Sequence, residues 1–175
     1  MRNLELPALY RAHELCVTEK DFDDAREIRR DSGRIISAAS AIDQVVAKII
    51  SNTIFREVQE HREIVLGSVL SSDWCTFSAK RKLLKVALEI FELTDKKVKN
   101  NIDENLGKVM HYRNAFAHGT LGLNSDTFKQ ELHYFEGVPK TVALDNEYFQ
   151  KLEITFKEVW ADLEKIQEKL AIKAK

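Results

Sequence analysis

The sequence predicts a mainly α-helical fold, a four- to five-helix bundle with one small inserted β-hairpin near residues 127–144. Three observations predict it. Apolar residues recur at helical spacing through most of the 175 residues. The 6 Gly and 2 Pro are too few for a turn-rich all-β fold. The 44% hydrophobic content is enough for a packed interior, and the length fits a single domain over 1–175.

The first two helices are predicted from their start signals and their periodicity. Pro7 opens a short helix over 7–17, because proline is tolerated in the first helical turn. Thr18, three residues before Asp21, resembles a capping arrangement. It precedes a long amphipathic helix over roughly 20–60, whose apolar stripe repeats every seven residues at Ile28, Ile35, Ile42 and Ile49.

The next two helices carry the centre of the predicted core. After a break at Ser71, Ser72 and Asp73, a second major helix begins after Ser78 and is apolar almost all round, so we expect it to lie centrally. A third major helix is defined by Val98, Ile102, Leu106, Val109 and Phe116. Gly119 and Gly122 are placed to end it, because glycine tolerates the left-handed cap conformation.

The C-terminal part changes period and then returns to a helix. Apolar and polar residues alternate from Phe128 to Phe135, and Glu136-Gly137 predicts the turn of a β-hairpin. Asp145 or Asn146 caps a last helix with a regular three-four apolar spacing. The bundle therefore covers 20–173, and the last residues, 170–175, are expected to fray as a basic tail.

Composition restricts the classes of function. The 27 Lys plus Arg against 28 Asp plus Glu give a net charge of -1, which excludes a strongly basic body that binds polyanions throughout. Cys16 and Cys75 are far apart and form no metal-ligand or disulfide pattern. No segment has the apolar length of a signal peptide or a membrane span. These features predict a cytoplasmic protein with no metal and no cofactor.

An unusual group of five hydrogen-bonding side chains around a short apolar step ends the third major helix, in residues 111–119. A helical wheel at about 100° per residue puts Arg113 at about 60°, inside the core-facing stripe. A guanidinium there is costly to bury alone, so it must meet a carboxylate, an anion or a water-filled cleft. On the same wheel Asn114, His118 and His111 share another side of the helix.

Asp43 is the acidic residue expected to pair with this helix, because it lies on the apolar stripe of the long first helix. Two interpretations stay open. Asp43 forms a structural ion pair between two helices, or it orients Arg113 or His118 inside a catalytic cleft.

The spacing Arg-x4-His occurs twice, at Arg113 to His118 and at Arg56 to His61. The Arg56 copy lies among charged residues and is interpreted as surface. In the other copy, Arg113-Asn114 is followed by Ala-Phe-Ala and then His118-Gly, after an apolar helix. That context resembles the HEPN superfamily, which are small helical-bundle domains of prokaryotic toxins, antiviral systems and RNA-processing factors. The layout of the helices is also similar, over about residues 20–170.

The resemblance implies a metal-independent endoribonuclease that acts as a homodimer, as a component of a toxin-antitoxin or phage-defence system. Its catalytic residues would be Arg113 on the phosphate, Asn114 on either the phosphate or the His118 ring, and His118 as the proton acceptor, with Asp43 and His111 in support. One toxin branch has a tyrosine two residues after the histidine, where this sequence has Thr120. The partner would be an antitoxin or a regulatory protein.

Two further points stay open. The basic clusters Arg26, Arg29, Arg30, Arg34 and Lys80, Arg81, Lys82, Lys85 either form an RNA track or are solvated helix faces. The alternative function is a non-catalytic regulatory or scaffold protein, similar to the mannitol operon repressor family in length and layout, in which Arg113 and His118 are structural.

Overall fold

The computed structural model of the chain describes residues 19–173 apart from 57, 125 and 128. The helices within these residues are Glu19–Ile54 (α1), Gln59–Val65 (α2), Phe77–Ile90 (α3), Lys96–His118 (α4) and Asn146–Lys173 (α5). A π-helical turn, Leu66–Leu70, follows α2. The strands are Thr120–Leu123 (β1), Gln130–Glu136 (β2) and Val138–Ala143 (β3). The predicted helical fold with a small β element is confirmed.

The chain divides into two compact units, Met1–Arg34 and Ile35–Lys175, with the boundary inside α1. The described side chains of the first unit include two ion pairs along the helix, Arg30 with Glu27 and Arg34 with Asp31. Everything that follows on packing and on the site concerns the second unit. No helix in the described parts of either unit is both long and apolar enough to cross a membrane.

The core of the second unit is built from one face each of α1, α3, α4 and α5. Its most deeply buried side chains include Ile42, Val46, Ile49, Leu84, Leu88, Ile102, Leu106, Val109 and Leu163. On α1 the stripe that repeats every seven residues is buried at Ile35, Ile42 and Ile49, as its spacing predicts. The burial fixes the rotation of each helix about its axis, and so it decides which side chains of α4 face solvent.

The prediction of one helix over 20–60 was wrong, because α1 ends at Ile54 and α2 begins at Gln59. Val58, just before α2, has an extended backbone (φ -124°, ψ 101°). The Ser51 hydroxyl donates to the Arg62 carbonyl oxygen at 2.7 Å and joins the two helices across the break. A buried hydroxyl needs such a partner, and the break supplies it.

The prediction that α3, as an almost fully apolar helix, lies centrally in the core is right for one face only. One face of α3 is buried through Lys80, Leu84, Ala87 and Leu88, while Leu83, Val86 and Ile90 are exposed. The helix begins at Phe77, where the Thr76 hydroxyl accepts a hydrogen bond from the Ala79 amide. The run of apolar residues therefore predicts the helix correctly, but it does not show how much of the helix surface is buried by other elements.

The predictions for the two ends of the chain have different outcomes. The short helix predicted over 7–17 lies outside the described residues. The basic tail predicted at 170–175 was wrong in its start, because α5 continues to Lys173 and Leu170 is buried in the core. A buried leucine holds the last turns of α5 in place.

The sheet has the order β1-β2-β3 and is antiparallel throughout. The predicted hairpin is confirmed as β2 and β3, which turn at Gly137 with φ of 72°, a left-handed conformation that favours glycine. Strand β1 was not predicted; it pairs with β2 from Thr120 opposite His133 to Leu123 opposite Gln130.

Gly119 ends α4, but for a different reason from the one predicted. Its φ is -81° and its ψ is 165°, so its backbone is not left-handed. A Cβ built on Gly119 would lie 2.3 Å from the Ala115 carbonyl oxygen and 2.8 Å from the Leu132 Cδ1 atom. Glycine is needed because a side chain would clash with the last turn of α4 itself and also with β2, which packs closely against it. Gly122, the other predicted terminator, lies in β1 under the His133 ring.

Replacing Gly119 with alanine should therefore lower the free energy of unfolding by about 3 kcal/mol, the upper end of the range for overpacking, because a backbone oxygen cannot move aside. Gly67→Ala is the control. Gly67 is an exposed residue of the π-helical turn in the same unit, and its added Cβ meets no atom of the described residues within 4 Å, so this change should be neutral or stabilising. Urea unfolding measures both, and equal stability of the two variants would contradict the packing argument.

Candidate functional site

The motif residues Arg113, Asn114 and His118 lie in the last two turns of α4 and are all exposed to solvent. Between them Ala115 and Phe116 are buried and hold this part of the helix against the core. Asp95 starts the helix, since its carboxylate accepts a hydrogen bond from the Val98 amide at 2.9 Å.

The prediction that Arg113 lies in the buried stripe was wrong. Its side chain borders an open cleft of about 300 Å³ between α1, α3 and α4. Of the three environments that the sequence allowed for this guanidinium, the structure has a solvent-accessible cleft. One guanidinium N–H donates to the Asn114 side-chain oxygen at 3.2 Å.

Asp43 borders the same cleft, but its ion-pair partner is Lys80 and not Arg113. The Lys80 ammonium donates to the Asp43 Oδ2 atom at 2.6 Å. The Lys80 side chain is only 7% exposed and that of Asp43 is 25% exposed. The predicted interhelical pair of Asp43 is therefore present, with a lysine of α3 as the cation.

Sequence reasoning missed Lys80, which was placed in a basic cluster. One signal could have found it. Lys80, Leu84 and Leu88 follow at intervals of four, and this interval puts Lys80 on the buried face of α3. The charge of Lys80 does not require an exposed position, because a long lysine stem next to an acidic residue can be buried.

The rest of this basic cluster does not form an open track. Asp103 of α4 accepts hydrogen bonds from Arg81 at 2.8 Å and from Lys85 at 3.0 Å. Gly107 leaves room for Arg81, since an added Cβ would lie 2.8 Å from its guanidinium. These contacts fix α4 against α3. Lys80 is paired with Asp43, so Lys82 is the exposed residue of the cluster Lys80, Arg81, Lys82 and Lys85.

The Asp103 contacts predict a dependence of stability on pH. Burial raises the pKa of Asp103, but the hydrogen bond from Lys85 and the charge of Arg81 outweigh it, so the pKa is lowered below its ordinary value of 3.8. A carboxylate with a lowered pKa stabilises the folded state above its unfolded pKa, and this contribution is lost as the pH falls through the folded pKa.

Asp103→Asn should therefore lower the free energy of unfolding at pH 7, and the difference from the wild type should shrink as the pH falls below about 4. Urea unfolding at pH 7, 4 and 3 measures this. A difference that stays constant over this range would contradict the assignment.

His111 is tied to the sheet and does not border the cleft. Its Nδ1 atom is 3.0 Å from the Glu136 carboxylate, and its Nε2 atom is 3.4 Å from the Tyr134 hydroxyl. The pKa of Glu136 is lowered, first by the hydrogen bond from Lys140 and then by that from His111. Through these contacts His111 joins α4 to β2.

His118 is the last residue of α4, and its imidazole makes no hydrogen bond or ion pair with the part of the chain that the structure describes. It lies about 7.5 Å along the helix axis from Arg113 and about 140° around it. Within a single chain, Arg113 and Asp43 therefore border the same cleft, whereas His118 lies outside it on the exposed surface of α4.

The second copy of the spacing, Arg56 to His61, has a different setting. It spans the break between α1 and α2, so its two residues do not share a helix. The His61 ring makes an edge contact with Phe55, with ring centroids 6.5 Å apart. His61 is therefore a matched control for His118, because it has the same spacing after an arginine but does not share a helix with it.

Comparison with known proteins finds no matching family model, no matching curated protein and no matching solved structure.

Proposed function

We propose that this chain is a metal-independent endoribonuclease of the HEPN type, which cleaves RNA through the 2'-hydroxyl and leaves a 2',3'-cyclic phosphate end. The observation that carries the proposal is the exposure of Arg113, Asn114 and His118 together at the end of α4. Buried motif residues could not reach an RNA strand. The proposal includes a homodimer in the cytoplasm and a role in a toxin or phage-defence system, with an antitoxin or regulatory protein as partner.

The chemistry needs one base, one acid and one cation. The His118 imidazole takes the proton from the ribose 2'-hydroxyl, a general-base role that histidine has more often than any other side chain. The 2'-oxygen then forms a bond to the adjacent phosphorus, and the bond from phosphorus to the 5'-oxygen breaks. The Arg113 guanidinium stabilises the charge that develops on the phosphate oxygens. Asn114 orients the guanidinium through the hydrogen bond that it accepts.

The leaving 5'-oxygen needs a proton, and a second copy of the chain is the proposed source. In an isologous pair of α4 ends, two His118 residues face one phosphate. One takes the proton of the 2'-hydroxyl, and the protonated other gives its proton to the 5'-oxygen. Two Arg113 residues would then also lie nearby, and an anion between them relieves their repulsion.

The alternative is a non-catalytic regulatory or scaffold protein. An apolar groove of about 420 Å³ between α1 and α5 favours it, because its lining by Ala38, Ala41, Phe156 and Trp160 suits a protein partner better than RNA. In this case Arg113 and His118 are surface residues without a chemical role.

One experiment separates the two. The purified protein is incubated with a structured RNA and with DNA of the same sequence, with and without a chelator. The proposal predicts cleavage of the RNA alone, at the same rate in chelator, with cyclic phosphate ends identified by mass spectrometry. Intact RNA under all conditions, or products with 5'-phosphate ends, would contradict it.

A further inference from the structure

The cleft beside Arg113 contains polar groups that the proposed chemistry does not use. The paired residues Lys80 and Asp43 line the cleft, and Arg113 borders it from α4. One wall is formed by residues of the segment Ser71 to Phe77. The volume of the cleft, about 300 Å³, is at the lower end of the range for small-molecule sites. Such a cleft is large enough for one small polar ligand.

Two cations in this cleft have hydrogen-bond donors to spare. The Lys80 ammonium has three donors and uses one on Asp43. The Arg113 guanidinium has five and uses one on Asn114. Within the described residues, no other acceptor is bound by either group. An anionic ligand would satisfy both.

The Asp43 carboxylate also has acceptor capacity to spare beside the cleft. Its Oδ1 atom is buried and has no hydrogen-bond partner among the side chains and backbone that the structure describes. The Asp43 side chain as a whole is 25% exposed, so a turn of the carboxylate presents an oxygen to the cleft. A buried carboxylate oxygen without a donor is costly. The ligand that suits the cleft therefore carries a hydrogen-bond donor beside its anionic group.

The formal charges of the cleft support this combination. Lys80 and Arg113 are balanced by Asp43 and by Asp73, which is exposed in the wall. A simple anion would gain little in a cleft of zero net charge. A group that offers both an anion and a donor matches the two cations and the free acceptor together.

We infer that this cleft binds one nucleotide unit of the RNA, with its phosphate on Arg113 and Lys80 and a ribose hydroxyl or base N–H group on the Asp43 carboxylate. The inference rests on the proposed function, because Arg113 is the residue that would hold the scissile phosphate. It makes Asp43 and Lys80 residues that select the nucleotide next to the cut.

Equilibrium binding tests the inference without any cleavage. The probes are the four ribonucleoside 3'-monophosphates, their 2'-deoxy forms and inorganic phosphate, titrated by isothermal calorimetry. We expect saturable binding of at least one ribonucleotide and binding at least about tenfold weaker for inorganic phosphate. Loss of affinity in the 2'-deoxy form would identify the ribose hydroxyl as the donor, and a preference among the four bases that persists in the 2'-deoxy forms would identify the base.

Three variants assign the binding to the cleft. Arg113→Gln and Asp43→Asn should each weaken nucleotide binding by about tenfold or more, while only Arg113→Gln should weaken phosphate binding. Lys82→Gln, an exposed cation on the same helix as Lys80, is the control and should leave binding unchanged. Because Arg113 is exposed, its variant should keep the fold even if Asp43→Asn does not.

The outcomes separate this inference from the proposed function. Nucleotide binding that depends on Arg113 and Asp43, in a protein that cleaves no RNA, would support the cleft and contradict the nuclease. Cleavage of RNA by a protein that binds no mononucleotide, or that binds it equally well in both variants, would overturn the inference and leave the nuclease standing. Absence of both activities would overturn both.

Discussion

His118→Ala should lower the rate of RNA cleavage by about 10² to 10⁴-fold, the usual contribution of a positioned general base. His118 is exposed at the end of α4, and no described residue bonds its imidazole, so the variant should keep the stability of the wild type. A large loss of rate without a loss of stability separates a chemical role from a structural one. The measurement is the initial rate of cleavage of a labelled RNA in chelator.

His61→Ala is the matched control for this prediction. His61 is also an exposed histidine five residues after an arginine, but the break between α1 and α2 separates the two. Its replacement should leave the rate unchanged. Equal rates for the wild type and His118→Ala would contradict the proposed base and point to a contaminating nuclease, and an equal loss in both variants would show that the effect is not specific to His118.

Lys80→Met should lower the free energy of unfolding by about 3 kcal/mol, the lower end of the range for breaking a buried ion pair. The change leaves the Asp43 carboxylate without its cation, and its Oδ1 atom already has no partner among the described residues. The lower end applies because the Asp43 side chain is 25% exposed, so water solvates part of the charge. Urea unfolding at pH 7 measures the change.

Two further variants check that the ion pair is the cause. Lys82→Met removes an exposed lysine from the same helix and should change stability by less than about 0.5 kcal/mol. The double variant Asp43→Leu with Lys80→Met replaces both charges by apolar groups and should recover most of the loss. A double variant less stable than Lys80→Met would show that packing, and not the unpaired charge, explains the effect.

The sequence predicts those elements of the fold that show a clear period or a specific turn residue. The regular apolar seam of α5, the stripe of α1 and Gly137 at the hairpin turn are all found where they were expected. Strand β1 has only four residues, too few for an alternation to show, and its pairing with β2 is a tertiary contact. The break after Ile54 is joined by the hydrogen bond from Ser51 to Arg62, and a contact between residues eleven apart leaves no periodic signal in the sequence.

The candidate site could be predicted only in part. The unusual polar end of α4 was visible in the sequence, and so was Asp43 as an acid that faces another helix. The choice of Lys80 over Arg113 as its partner could not be read from the sequence, because it depends on how α1, α3 and α4 are rotated against each other. A helical wheel gives the angle of Arg113 but not what faces it, and here a cleft faces it.

The central claim is that Arg113 and His118 act on the same phosphate, and a double-variant cycle tests it most directly. The cleavage rates of the wild type, Arg113→Ala, His118→Ala and the double variant are measured on one RNA in chelator. Residues that act in one transition state are not additive, so the double variant should be about as slow as the slower single variant. Losses that multiply in the double variant, or single variants as fast as the wild type, would contradict the claim.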